Sequence, residues 1–364
     1  MRISPIVVGG DTTMTSTDDF VRWAVNKVER DFSEGREVAP YNQDFWVLKA
    51  FMRQSLSEGL RLPKGLERLE SQAFRNPSVF ECGGVELFYA LIYSTTLQLL
   101  GKPRSYTLNI IAGKMPATVD AVIVVGPNGE EVIILPSRTF WGLAEANQEF
   151  YWLWLLNEYQ SLNYWPFVDE FSVLTSAVGP QICQTVWGAC ELGCQNANVI
   201  LDYGKETKCL MLQREGKSQL IVGATLAQQL FMILHEYGHL ASGSPSDSRL
   251  IGRGARKLFF TGGKDSETAA DLWAAERLRD AVRSGWLFGN SLAERNYPHL
   301  GTFLLFEYLE LLRRRGFPVV GVLCGLPRER WDRISGVLLG VSTPEDKAHV
   351  VDWVNETRRR FDDL

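Results

Sequence analysis

The sequence predicts an α+β protein, with a β-meander leading into a buried helix in its C-terminal half and a further α+β domain ahead of it, and three observations predict it. Apolar residues recur at helical spacing over much of 20 to 60 and 80 to 101. Two β-rich runs, Val119 to Val125 and Glu131 to Leu135, flank Gly126-Pro127-Asn128-Gly129, and Asn-Gly is a strong hairpin signal. Three further strand-like runs, Val199 to Tyr203, Thr207 to Gln213 and Gln219 to Val222, are separated by Gly204-Lys205 and Glu215-Gly216-Lys217. They read as a β-meander feeding a helix at about Ala224 to Ala241 that is apolar nearly all round and therefore buried.

The chain of 364 residues is long for one average domain and suggests two. Residues 1 to 18 read as a mobile N-terminus, 19 to 175 as an N-terminal α+β domain, and 176 to 364 as a second domain with a helical C-terminal part. The aromatic, Leu-rich stretch from Phe140 to Phe167 reads as helix at their junction, with Pro166 or Pro180 marking the boundary.

Hydrophobic residues at 45% and charged residues at 22% fit a folded protein. The net charge of -5 lacks the basic excess of a nucleic-acid binder, so no such partner is expected. The triplets Arg313 to Arg315 and Arg358 to Arg360 read as cations at helix C-termini. Val85 to Leu100 is the most apolar stretch, but Glu86, Ser94, Thr95, Thr96 and Gln98 make it a buried helix and not a membrane span. Six Cys without framework spacing, behind an N-terminus with no hydrophobic leader, point to a cytoplasmic protein.

The chemistry is concentrated in His235-Glu236-Tyr237-Gly238-His239. Two His four residues apart on a helix project from one face, where both imidazoles can bind one Zn²⁺. Glu236 beside them can take a proton from a water held there and return it to a leaving amine. With only four His in the chain, a chance His-Glu-x-x-His arises about once in several hundred such sequences. A third ligand comes from the acidic helix start Asp265-Ser266-Glu267-Thr268-Ala269-Ala270-Asp271, which Asp265 or Ser266 caps. Glu267 and Asp271 share a face there, and Ala270 and Ala274 keep the neighbouring surface small enough for close approach. Glu267 can then reach the metal, while Asp271 accepts the second ring N–H of a ligand His.

His-Glu-x-x-His followed, after a short gap, by Glu-x-x-Ala-Asp resembles the gluzincin zinc metallopeptidases. Within them the chain looks most like intracellular peptidases of the ImmA/IrrE type or the phage-exclusion (Lit) type, over about Gln219 to Asp280. The resemblance implies a zinc-dependent catalytic domain, His235, His239 and Glu267 as ligands, Glu236 as general base, and a strand before the metal helix that holds substrate extended. The usual ImmA/IrrE pattern has Asn where Asp271 stands. The resemblance also suggests a donor facing the carbonyl oxygen in the transition state, for which Tyr297 and His299 are the candidates.

Cys82-Gly83-Gly84 before Val85 to Leu100 weakly resembles the start of a transglutaminase-like or papain-like cysteine site. The first His of the chain is His235, so the usual Cys-His pair is missing, and Cys82 reads as a buried thiol or part of a degenerate domain. Cys183, Cys190 and Cys194 at helical spacing, and Cys209 and Cys324 in apolar runs, read as packing. The expected function is a zinc-dependent endopeptidase acting on one specific intracellular protein, with residues 241 to 264 as a lid. The alternatives are a non-enzymatic sensor or scaffold with structural zinc, and cysteine-dependent chemistry at Cys82.

Overall fold

In the computed structural model, Val122 to Val125 and Glu131 to Pro136 pair across the expected Asn-Gly connection. The residues it describes are 20, 22–26, 51, 54, 108–113, 122–125, 131–161, 168–187, 205–241, 264–283, 292–316, 325–339 and 344–364. Strands β2 (Val122–Val125) and β3 (Glu131–Pro136) run antiparallel, with Val122 opposite Ile134 and Val125 opposite Glu131. Strand β1 (Leu108–Gly113), for which the sequence reading made no assignment, lies parallel to β3 on its other side, giving the order β1-β3-β2. The central position suits β3, whose Ile133, Ile134 and Leu135 are apolar on both faces and buried.

Beyond this sheet the described chain is helical. Helix α1 (Ser137–Ser161) follows β3 directly and contains the aromatic run expected as helix. Helix α2 (Val168–Trp187) holds Pro180 in its interior, so that proline marks no boundary, and the expected division at 175/176 falls inside this helix. Helices α3 (Lys205–Arg214), α4 (Ser218–Ala241), α5 (Lys264–Arg283), α6 (Leu292–Arg314), α7 (Pro327–Leu338) and α8 (Pro344–Asp362) follow. No helix among the described residues is long and apolar enough to cross a membrane.

Two of the three meander segments are corrected. Thr207 to Gln213 lies in α3, and Gln219 to Val222 forms the first turns of α4, which starts six residues before the expected Ala224. Leu, Met, Lys and Gln in the first segment favour helix, and burial on every side overrides the β preference of Ile221 and Val222 in the second. The turn read as a strand connection is a helix end. Gly216 has φ +66°, its amide donates to the Gln213 carbonyl, and the Lys217 amide donates to that of Leu212 at 2.9 Å. Val199 to Tyr203, Val85 to Leu100, residues 1 to 18, Cys82, Cys190, Cys194, Cys324 and the expected lid at 242 to 263 lie outside the described residues.

Helix α4 is the central member: α1, α5 and α6 pack on it, and α7 lies over α5 and α6. Residues 221 to 231 are buried without interruption, as an all-round apolar helix requires. On α7 the buried residues Pro327, Trp331, Ile334 and Leu338 follow helical spacing, leaving its arginines on the flanks. On α8, Phe361 stacks on Phe150 at 5.4 Å and Trp353 on Trp154 at 6.0 Å. The Arg triplets sit at helix ends as expected. Arg313 pairs with Glu310, Arg358 with Asp332, and Arg359 and Arg360 with Glu356.

One polar seam crosses this apolar interior. The Asn147 amide donates to Thr225 Oγ1 and Gln228 Oε1, each at 2.8 Å, and its carbonyl oxygen accepts from the Tyr308 hydroxyl at 2.7 Å. Asn147, Thr225, Gln228 and Tyr308 have no solvent exposure, so each bond spares a polar atom a costly desolvation. Replacing Asn147 by Leu keeps the volume and strands the partners on α4 and α6. The expected loss is roughly 2–4 kcal/mol in urea unfolding.

Candidate metal centre

Helix α4 brings His235 and His239 onto one face, and α5 places Glu267 opposite them. Nε2 of His235 and Nε2 of His239 are 3.2 Å apart. Glu267 Oε2 is 3.3 Å from the first and its Oε1 3.5 Å from the second. The donor atoms of these three residues all lie within 4.8 Å of one another, and the group could hold a metal ion. Among the described residues it has three members.

Close approach of the two helices makes this possible. A Cβ on Gly238 would stand 2.9 Å from Ala270 Cα and 3.1 Å from its carbonyl oxygen. Glycine is therefore required between the two His, and the small face expected at Ala270 and Ala274 is the one in contact, both residues being fully buried. Helix α5 begins at Lys264, so Asp265 and Ser266 lie in its first turn and not ahead of it.

Exposure is graded across the centre. Glu267 keeps 2% of its surface in solvent, whereas His235, Glu236 and His239 keep 9%, 7% and 8%, so the α4 side of the group is the less deeply buried one. Asp271, one turn beyond Glu267, sits behind His235 with Oδ1 2.9 Å from Nδ1, the position the sequence expects of it.

The electrostatics favour positive charge at this spot. Burial alone would keep His235 neutral, but the carboxylates of Asp271 and Glu267 outweigh it and raise its pKa to about 10. Burial likewise pushes the Glu267 carboxyl up, and His235 more than compensates, holding it well below the usual carboxylate range. Asp271 is held at about 2 against its own burial, first by the Arg330 guanidinium and then by His235.

Arg330 on α7 is the residue that sequence reasoning missed. Its Nε donates to Asp271 Oδ2 and its Nη2 to Oδ1, both at 2.8 Å, and Nη2 is 3.7 Å from Glu267 Oε2. It stands 59 residues from Asp271 in a helix with two other arginines, and no local spacing distinguishes it from a solvated charge.

Tyr297 and His299 lie in α6 and not in a loop. Tyr297 packs against Gly223, whose Cβ would fall 2.4 Å from the ring. Gly223 precedes His235 by twelve residues on α4, about 18 Å along the axis. That distance removes Tyr297 from the metal group. His299 is buried edge-on against Trp331, 4.6 Å between ring centres, and neither ring nitrogen has a hydrogen-bond partner among the described residues. Cys183 and Cys209 are buried, as packing residues should be.

Compared with known proteins, the chain matches no family model, and no curated protein or solved structure is significantly similar to it.

Two outcomes follow from this geometry. Burial lowers the pKa of His299 from an ordinary 6.5 to about 3, so the unfolded chain takes up this proton first as pH falls. The resulting loss of stability begins near pH 6.5 and continues to about 3, at roughly 1.4 kcal/mol per pH unit. His299→Leu should flatten the fall in urea midpoint between pH 6.5 and 4.5 relative to wild type. Gly238→Val should push α5 from α4 and lower metal uptake, measured by elemental analysis, although Gly→Val on an exposed helix is no loss of helix propensity.

Proposed function

We propose that the chain is a zinc-dependent endopeptidase that hydrolyses a peptide bond in a specific intracellular protein. The observation that carries this reading is the convergence of the two imidazole Nε2 atoms, 3.2 Å apart, on the Glu267 carboxylate, whose Oε2 is 3.3 Å from one and whose Oε1 is 3.5 Å from the other. Tetrahedral ligands at zinc distances of about 2.0–2.1 Å stand about 3.3–3.4 Å from one another. The three side chains therefore fit the ion with little rearrangement. Two imidazoles and one carboxylate are also the donor set of catalytic sites that keep a fourth position for water, whereas structural sites are closed by four protein ligands.

When bound, zinc supplies Lewis acidity that polarises a carbonyl oxygen and makes water acidic near neutral pH. The chain's own residues do the rest. His235, His239 and Glu267 would hold the ion, and Asp271, with Oδ1 2.9 Å from Nδ1, would orient His235. Glu236 accepts a proton from the attacking water as the C–O bond forms, then delivers it to the amine nitrogen as the C–N bond breaks. Tyr297 has no part in this scheme, and His299, with its ring against Trp331, is given none. A cytoplasmic location and a protein substrate belong to the same proposal.

Glu236→Gln keeps the shape of the side chain and removes its basicity. Zinc content should be retained, cleavage should drop by roughly 10²–10⁴-fold, and new protein termini seen in cells expressing the wild type should be missing from cells expressing the variant. Undiminished cleavage by the variant, or a purified wild-type chain that takes up no zinc, would refute the assignment.

A further inference from the structure

We infer that Arg330 is a positioning residue for the metal centre, acting through Asp271. The inference rests on the metal-binding reading above and adds a residue from a third helix to it. Asp271 is 2% exposed, and its Oδ1 is asked to face both His235 Nδ1 at 2.9 Å and Arg330 Nη2 at 2.8 Å. A short carboxylate can turn about its last bond, and a turn would take Oδ1 away from the imidazole. The guanidinium prevents this by engaging both oxygens side-on, Nε on Oδ2 and Nη2 on Oδ1, a planar fork that fixes the carboxylate plane. Oδ1 is thereby kept 2.9 Å from Nδ1 of the His235 ring, whose Nε2 faces His239 and Glu267.

The same Nη2 is 3.7 Å from Glu267 Oε2. Two carboxylates one turn apart in a buried place repel each other, and a single cation between them offsets that repulsion. Arg330 is itself held in place. Its guanidinium lies over the Phe306 ring at 5.4 Å, and Trp331, next to it, is packed in the core. On either side Arg328 pairs with Glu307 at 2.6 Å and Arg333 donates to Thr268 Oγ1 at 2.6 Å. These contacts tie α7 to α6 and to α5, so the fork approaches Asp271 from a fixed base. Lysine would bring the charge without the planar pair of donors.

The test is a double-mutant cycle read by metal binding, with Zn²⁺ and Co²⁺ alone as probes. Purified wild type, Arg330→Met, Arg330→Lys, Asp271→Asn and the double variants are titrated, and the Co²⁺ visible spectrum reports the ligand geometry. Arg330→Met should weaken metal binding about tenfold and alter the Co²⁺ spectrum, with Arg330→Lys in between. Combined with Asp271→Asn, either Arg330 substitution should add less than about twofold, because the two residues act as one unit. Losses that multiply in the double variants, or Arg330 variants that bind and absorb like wild type, overturn the inference and leave the zinc site standing. A wild type that binds neither ion overturns both. Should Arg330→Met fail to fold, judged by circular dichroism, the cycle with Arg330→Lys decides alone.

Discussion

Helices α4 and α5 meet at Gly238 and Ala270, and the spacing of that contact governs the rest of the centre. Any side chain at position 238 would collide with the backbone of α5. The separation of the helices is thus set by a missing Cβ, and it lets a glutamate carboxylate on one helix stand 3.3 and 3.5 Å from imidazole nitrogens on the other. A wider gap would leave Glu267 paired with solvent and the two His with each other. The glycine sits between the two histidines, one residue before His239, so a single turn of α4 carries both imidazoles and the contact that brings Glu267 to them.

The sequence was most legible where chemistry and spacing coincide within one helix. His235 and His239 at four residues, and Glu267 and Asp271 at four residues, need only helical geometry to be placed, and both pairs face each other as that geometry implies. The β2–β3 pairing was legible for a similar reason, since the Asn-Gly signal and the two β-rich runs that flank it are local. Thr207 to Gln213 and Gln219 to Val222 were misread because short apolar runs have no distinctive period. The helix-favouring Leu, Met, Lys and Gln decide the first, and burial among α1, α5 and α6, which the segment alone does not display, decides the second. Arg330 and the Asn147 seam are pairings over 59 to 161 residues, fixed by the tertiary fold and silent in local pattern. Tyr297 failed as a candidate because α6 lays it against Gly223, far along α4 from His235.

Concentrating carboxylates in the interior has a stability cost, which the fold offsets with guanidinium groups in two places. Asp271 and Glu267 share Arg330, and Glu307 accepts from Arg328 and Arg358. Glu307 is nonetheless pushed upward in pKa, because burial exceeds what the two arginines return. Asp271 is pulled downward, because its arginine is bidentate and His235 adds to it. The contrast is one of surroundings: Asp271 stands beside the His235–His239–Glu267 group, and Glu307 ties α6 to α7 and α8. Such buried pairs contribute little net stability but penalise any arrangement that breaks them, so they define which helix goes where.

The seam at Asn147 has a similar role with a different target. Thr225 and Gln228 lie on α4 two to three turns before His235, and a helix transmits rotation along its length. Each residue advances about 100° around the axis, so slipping α4 by one position would swing Thr225 and Gln228 off Asn147 and aim the imidazoles away from α5. The close contacts at Gly223 and Gly238 oppose the same twist sterically. The bonds that tie Thr225 and Gln228 to one asparagine therefore act as an angular index: they set the azimuth of His235 and His239 from a distance, in a part of the helix that has no chemistry of its own.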